Sequence, residues 1–255
     1  MDFVIKRSEA KEIRDIPGWI LIYERRKVGK TFLVKNFLQY DAYFLVRRDL
    51  TIIENGRLSF NEFIAKLKDL LREDKTVVVD EFQRLLDTFL DEIVEVYPKG
   101  RLLLLGSSLR ILHKIFSPKS PILGLISQYK LDLVSPADTL TSLAEYLPPE
   151  QAVEIAVYMR DPWLSRYLEI YNGDIVEFLY NVVKVNIYSI KALIGEIFAE
   201  EERELTARYE AILNLLGSGC WRVKEMAGIL YNRGLLERAD LSLLRQHLIN
   251  LEKWD

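Results

Sequence analysis

The chain has 255 residues, 49% hydrophobic and 29% charged, with a formal net charge of −3. That length holds one large domain or two to three small ones with real cores, and near-balanced charge gives no bulk argument for nucleic acid or acidic lipid. No apolar run reaches the roughly 18 residues of a membrane span, the polar start over 1–11 is not a signal peptide, and a single cysteine, Cys220, excludes an intramolecular disulfide and fits a reducing cytoplasm.

Residues 1–17 carry Phe3, Arg7, Glu9 and Ile13 and read as a short strand or loop, then a helix ending before Pro17. The apolar run Trp19–Tyr23 reads as a buried strand. A basic turn, Arg25-Arg26-Lys27-Val28, leads into Gly29-Lys30-Thr31, and Phe32, Leu33, Phe37 and Leu38 then recur at helical spacing. Strand, turn ending in Gly-Lys-Thr, helix is the layout of a phosphate-binding loop. A helix start carries unpaired N–H groups and partial positive charge, so it attracts anions. Gly29 lets a phosphate approach the backbone, Lys30 reaches the β- and γ-phosphates, and the Thr31 hydroxyl binds Mg²⁺. Arg26, Lys27, Val28 and Phe32 complete the candidate binding set. The full pattern wants Gly at position 24, where this chain has Glu24. A carboxylate there lacks the backbone freedom of Gly and repels a triphosphate, by roughly 1 kcal/mol per charge pair at about 4 Å in water. Arg25, Arg26 and Lys27 offset it. The competing reading is an ordinary basic surface turn.

Ala42–Val46 reads as a second strand. Ser59-Phe60-Asn61-Glu62 is a capping box, with Leu58 and Phe63 as its staple, opening a helix that buries Phe63, Ile64, Leu67, Leu70 and Leu71. The β-branched run Thr76–Asp80 reads as a strand buried on both faces. A helix over 84–97 follows, then a strand Arg101–Leu105 running into Gly106-Ser107-Ser108, a helix Leu109–Phe116, and a fifth strand Gln128–Val134. Strands alternating with helices predict an α/β domain with a five-stranded, mostly parallel sheet. Beyond Pro136 the pattern is helical throughout. Its last three helices are expected at Leu205–Leu216, Val223–Tyr231 and Leu241–Leu251, with Gly217, Gly219 and Gly234 near their ends. The expected division is a core over 1–135, a helical lid over 136–203 and a helix-turn-helix unit over 204–255.

A phosphate-binding loop needs a partner that holds the metal and orients water. Asp80, at a strand end, is the candidate Mg²⁺ ligand, and Glu81 the base that polarises the attacking water. Lys30, Thr31 and Asp80 are expected to converge from two adjacent strand ends. Ser107 or Ser108 reaches the γ-phosphate or the water; an N-cap role for the helix at Leu109 is the alternative, and both can hold together.

These segments together, 21–31, 77–85, Leu-Leu-Gly-Ser-Ser-Leu at 104–109 and Ser-Pro-Ile-Leu-Gly at 120–124, resemble an archaeal ATPase family of the AAA+/STAND P-loop NTPases. Phe3 and Arg7 resemble its N-terminal adenine-side motif. The resemblance implies a P-loop NTPase core of the ASCE/AAA+ type, an all-α lid and a C-terminal winged-helix-like domain. It implies ATP and Mg²⁺ as ligands, slow hydrolysis, and lid and terminal helices that switch with nucleotide state. The chain departs from the family at Glu24, at Leu125, where the family carries arginine, and at Gly173-Asp174-Ile175, where the lid motif has a proline two positions after its glycine. A wing would need strand sequence after the third helix, so the wing is expected to be absent or the chain truncated after Asp255.

In the terminal unit, residues 222–252, Arg245, Gln246 and His247 are the candidate contacts to duplex DNA, but Glu237 and Asp240 lie near the recognition-helix start, which suits a protein partner or internal packing equally. His113 and His247 have no ligand spacing around them. Met226 and Trp221 are expected in the core, as is the aromatic set Tyr43, Phe44, Phe60 and Phe63.

Overall fold

The computed structural model describes residues 3–24, 27–107, 112, 115–200, 206–237 and 241–252. Its strands are β1 (Trp19–Glu24), β2 (Ala42–Val46), β3 (Ile52–Ile53), β4 (Arg57–Leu58), β5 (Thr76–Asp80), β6 (Arg101–Gly106) and β7 (Ile126–Leu131). They form one sheet in the order β4-β3-β2-β5-β6-β1-β7. The five longer strands are parallel, as the alternation with helices predicts. The two extra strands pair antiparallel at the β2 edge. At two residues each they are too short for alternation to register in the sequence.

Burial explains the order. β1, β5 and β6 sit inside the sheet, and their continuous apolar runs are covered on both faces. β7 is an edge strand and shows polar, exposed positions between buried Ile126 and Leu131. One face packs Trp19, Leu21, Phe44, Phe63 and Phe89 into a core, with Phe44 and Phe63 edge-to-face at 5.0 Å. The other packs Ile20, Ile22, Leu103 and Leu105 against helix α1 (Glu9–Asp15) and helix α2 (Lys30–Phe37).

Helix α3 (Phe60–Arg72) starts with the expected capping box: the Ser59 amide donates to Glu62 Oε2 at 2.8 Å, and the Glu62 amide donates to Ser59 Oγ at 3.3 Å. The expected helix over 84–97 is a 3-10 turn at Phe82–Leu85, helix α4 (Leu86–Ile93) and a second 3-10 turn at Val94–Val96. Most of the expected helix Leu109–Phe116 lies outside the described residues.

Helices α5 (Pro136–Leu143) and α6 (Pro149–Met159), a 3-10 stretch at Pro162–Ile170 and the start of helix α7 (Ile175–Glu200) enclose a separate core of Leu143, Ile155, Met159, Leu168 and Phe178. Compactness divides the chain into residues 1–185 and 186–255, inside α7. In the second unit, α8 (Ala207–Gly217), α9 (Val223–Asn232) and α10 (Leu241–Glu252) fall where periodicity places them, around Ile212, Met226, Leu230 and Leu244. Trp221 was expected in the core and is instead 73% exposed, with the Arg222 guanidinium over its ring. It lies in the α8–α9 turn, where the backbone gives no inward face. Among the described residues, no helix is long and apolar enough to cross a membrane.

Candidate functional site

β1 ends at Glu24, and α2 begins at Lys30. Lys27 (φ 72) and Gly29 (φ 94) take left-handed backbone between them. At Gly29 a side chain would be strained, and its Cβ would point at Pro162 and Arg7.

Thr31 Oγ1 donates a hydrogen bond to Asp80 Oδ2 at 2.8 Å. The expectation of two adjacent strand ends is wrong: β6 lies between β1 and β5. The contact spans β6 because Thr31 sits in the first turn of α2, above the strand ends. Asp80 is 1% exposed, and its Oδ1 accepts from the Glu81 amide at 3.0 Å. The Tyr43 hydroxyl also donates to Asp80 Oδ2. Burial first, and the Asp80 carboxylate second, push the Tyr43 phenol above its ordinary range. Tyr43 was expected only as core. Its alternation in β2 hid the fact that β2 is the neighbour of β5.

Lys30 is 2% exposed and lines a cleft of about 500 Å³ with Glu24, Lys27, Gly29, Thr31, Glu81 and Ser107. Ser107, 5% exposed, thus reaches this cleft from the end of β6, while Ser108 and Arg26 lie outside the described residues. Glu81 has φ 59, strained for a residue with a side chain, and its amide donates to Leu105 O at 2.9 Å. Its carboxylate is held by Arg84 Nη2 at 2.7 Å and by Gln83 Nε2 at 3.0 Å, and Arg84 also donates to Val46 O. The expected base is therefore at the site, with its charge already paired.

Glu24 turns into this cleft. Its Oε2 accepts from the Lys30 amide at 2.9 Å, and its Oε1 lies 3.8 Å from Lys30 Nζ. Lys30 supplies a counter-charge to it, while Arg25 and Arg26 of the basic turn lie outside the described residues. Burial pushes the Glu24 carboxyl up to about 7, against the lowering effects of the Lys30 charge and amide.

A second cleft of about 550 Å³ shares Lys27, Gly29 and Phe32 with the first and continues along Phe3, Arg7, Val134, Pro162, Trp163 and Arg166. Val28 is buried beneath the turn. Arg7 lines this cleft, but its guanidinium acts chiefly as a clamp. Nη1 donates to Val28 O at 2.6 Å, Nη2 donates to Asp132 O at 2.7 Å, and Nη2 pairs with Glu9 Oε1 at 2.7 Å. Arg7→Ala leaves the buried Val28 carbonyl, the part-buried Asp132 carbonyl contact and the Glu9 carboxylate without the guanidinium and should cost about 1–3 kcal/mol in urea denaturation. Arg7→Lys should recover only part, since an ammonium cannot reproduce the fork.

Trp163 and Arg166 carry no motif, and their place at the cleft follows only from the 3-10 stretch folding back over Gly29. Gly173 and Leu125 are not among the described residues lining either cleft. Instead Asp174 Oδ1 accepts from the amides of Val176 at 2.9 Å and Glu177 at 3.0 Å, which starts α7. In α10, His247 meets Tyr209 edge-to-face at 4.7 Å, and Gln246 donates to Asn250 at 3.2 Å, so both candidate DNA contacts are engaged internally; Arg245 is exposed.

Residues 17–131 match the family model of the AAA domain. No curated protein matches the chain. Among solved structures, the Walker-type ATPase of Pyrococcus abyssi is similar at 20% identity and a TM-score of 0.65, over 96% of this chain and 89% of that one. A STAND protein with a tetratricopeptide repeat sensor from Pyrococcus horikoshii is similar at 16% identity and a TM-score of 0.47, over 72% of this chain and 33% of that one. The first likeness is one of fold.

Proposed function

We propose, from the match of residues 17–131 to the AAA-domain family model, that the protein binds ATP with Mg²⁺ and hydrolyses it slowly to ADP and phosphate, as a nucleotide-driven switch. The observation that carries this is the 2.8 Å contact of Thr31 with Asp80 beneath the turn that starts α2. Two hard oxygen donors on rigid elements, without a cage of further ligands, fit Mg²⁺, which keeps waters and shares phosphate oxygens. Bound there, Mg²⁺ would neutralise charge on the phosphates.

The chain's own residues divide the work. The apolar end of the groove, with Phe3, Phe32, Pro162 and Trp163, accepts the nucleoside, and Lys27, Gly29 and Lys30 take the phosphates. Glu81 orients the attacking water once it exchanges Arg84 for it. Pro162 and Trp163 belong to the helical part of the first unit, so an occupied groove changes how that part packs on the sheet domain, and this is the proposed switch.

The paired state of Glu81 favours a second reading, a nucleotide-dependent regulator or scaffold that does not hydrolyse. Two measurements separate them. Mg-ATP should raise the melting midpoint; no shift removes nucleotide binding. Glu81→Gln should lower phosphate release by about 100-fold or more while the melting shift persists. Equal release from wild type and variant removes hydrolysis and leaves the regulator. The cytoplasmic setting and a protein partner for the terminal helices belong to this same reading.

A further inference from the structure

We propose that Glu24 is a resident occupant of the phosphate cradle: its carboxylate holds the oxygen position at the Lys30 amide that a nucleotide phosphate must take, and so sets the affinity and selectivity of the site. This rests on the nucleotide reading above and goes further, by naming the group that a ligand displaces.

The geometry is specific. Glu24 Oε2 accepts from the first amide of α2 at 2.9 Å, and Oε1 faces the Lys30 amine at 3.8 Å. Amide and amine are the two donors that a Gly-Lys-Thr turn directs at a phosphate. A carboxylate and a phosphate present the same kind of charged oxygen to them. Glu24 is 8% exposed and Lys30 2%, so the pair is withdrawn from water rather than being a surface contact. An ordinary acidic residue at a strand end would turn outward, because burying its charge costs more than a surface ion pair returns.

Displacement is a side-chain event. The Glu24 backbone is fixed in β1 by its pairing with Leu131 of β7. The carboxylate therefore leaves by rotating within the cleft, where Lys27 and Lys35 are cations among the described residues that can receive it. Two consequences follow. A ligand with a single phosphate gains little over the resident carboxylate, so inorganic phosphate binds poorly. A triphosphate with magnesium brings contacts at Thr31 and Asp80 that Glu24 does not make, and it wins the exchange.

The test is isothermal titration calorimetry of the whole chain near pH 8, with Mg-ATP and with inorganic phosphate as separate titrants. Wild type is compared with Glu24→Gln and Glu24→Ala. Glutamine keeps the shape and the amide contact but removes the charge, and it guards against misfolding of the alanine variant. Removing a charge-assisted hydrogen bond that competes with the ligand should tighten Mg-ATP binding roughly ten- to a hundredfold in Glu24→Ala, and less in Glu24→Gln. Inorganic phosphate should become a detectable ligand in Glu24→Ala. Inorganic phosphate bound by the variants and not by wild type would support the proposal most directly. Equal or weaker Mg-ATP affinity in both folded variants, with wild type binding, overturns it and leaves the nucleotide reading standing. Absence of binding in all three proteins removes the nucleotide reading and this proposal together.

Discussion

Lys30→Ala should destabilise the ligand-free protein by about 1–2 kcal/mol near pH 8, because Glu24 loses its cation and must take up a proton there to stay buried. Here Lys30 is 2% exposed, and its partner is internal. Near pH 5 the penalty should shrink, since Glu24 then carries a proton and needs no counter-charge. Adding Glu24→Gln to Lys30→Ala should restore most of the stability without restoring Mg-ATP binding. Urea denaturation of the four proteins at both pH values checks this. A Lys30→Ala variant as stable as wild type near pH 8 would show that the pair carries no folding energy.

Raising the pH from about 5 to 8 should weaken the wild-type protein relative to Glu24→Gln by about 3 kcal/mol. The Glu24 carboxyl is raised from an ordinary value of 4.5 to about 7 in the folded chain, chiefly by burial. The folded state therefore holds this proton more tightly than the unfolded state. Its contribution is fully present below about 4.5 and is lost as pH rises through about 7. Among the described residues, Lys30 and Arg7 lower the Glu24 value and Asp80 raises it. Carboxylates such as Glu62 and Asp49 are shifted downward by their hydrogen bonds and act in the opposite sense at lower pH. For this reason the difference between the two proteins, not the wild-type profile, is the quantity to measure. Parallel profiles would mean that Glu24 is already ionised throughout the range.

Much of this molecule is legible in one dimension because the signals are local. Strand β5 announces itself by a β-branched run, α3 by its capping box, and the cradle by a strand that runs into Gly29-Lys30-Thr31. Each depends on residues close together in the chain, where spacing and chemistry are the same information. The three terminal helices follow from periodicity for the same reason. The resemblance read from those motifs and the AAA domain match over residues 17–131 agree.

What the sequence alone determined, then, is the class of fold, and it singled out the Gly-Lys-Thr turn and the Asp80-Glu81 pair as the candidate site. Tertiary structure decided the rest. Insertion of β6 between β1 and β5 is a pairing of distant segments, and no local pattern encodes it. Tyr43 on Asp80, Arg84 on Glu81 and Trp163 over the groove arise because separate elements end at one place. Glu24 is the sharpest case. Its position showed that a carboxylate replaces the usual glycine, but whether it points out to water or in to the Lys30 amide depends on the closed packing of turn, sheet and α2 around it. Burial and electrostatics are properties of that enclosure, and they exist only once the chain has folded.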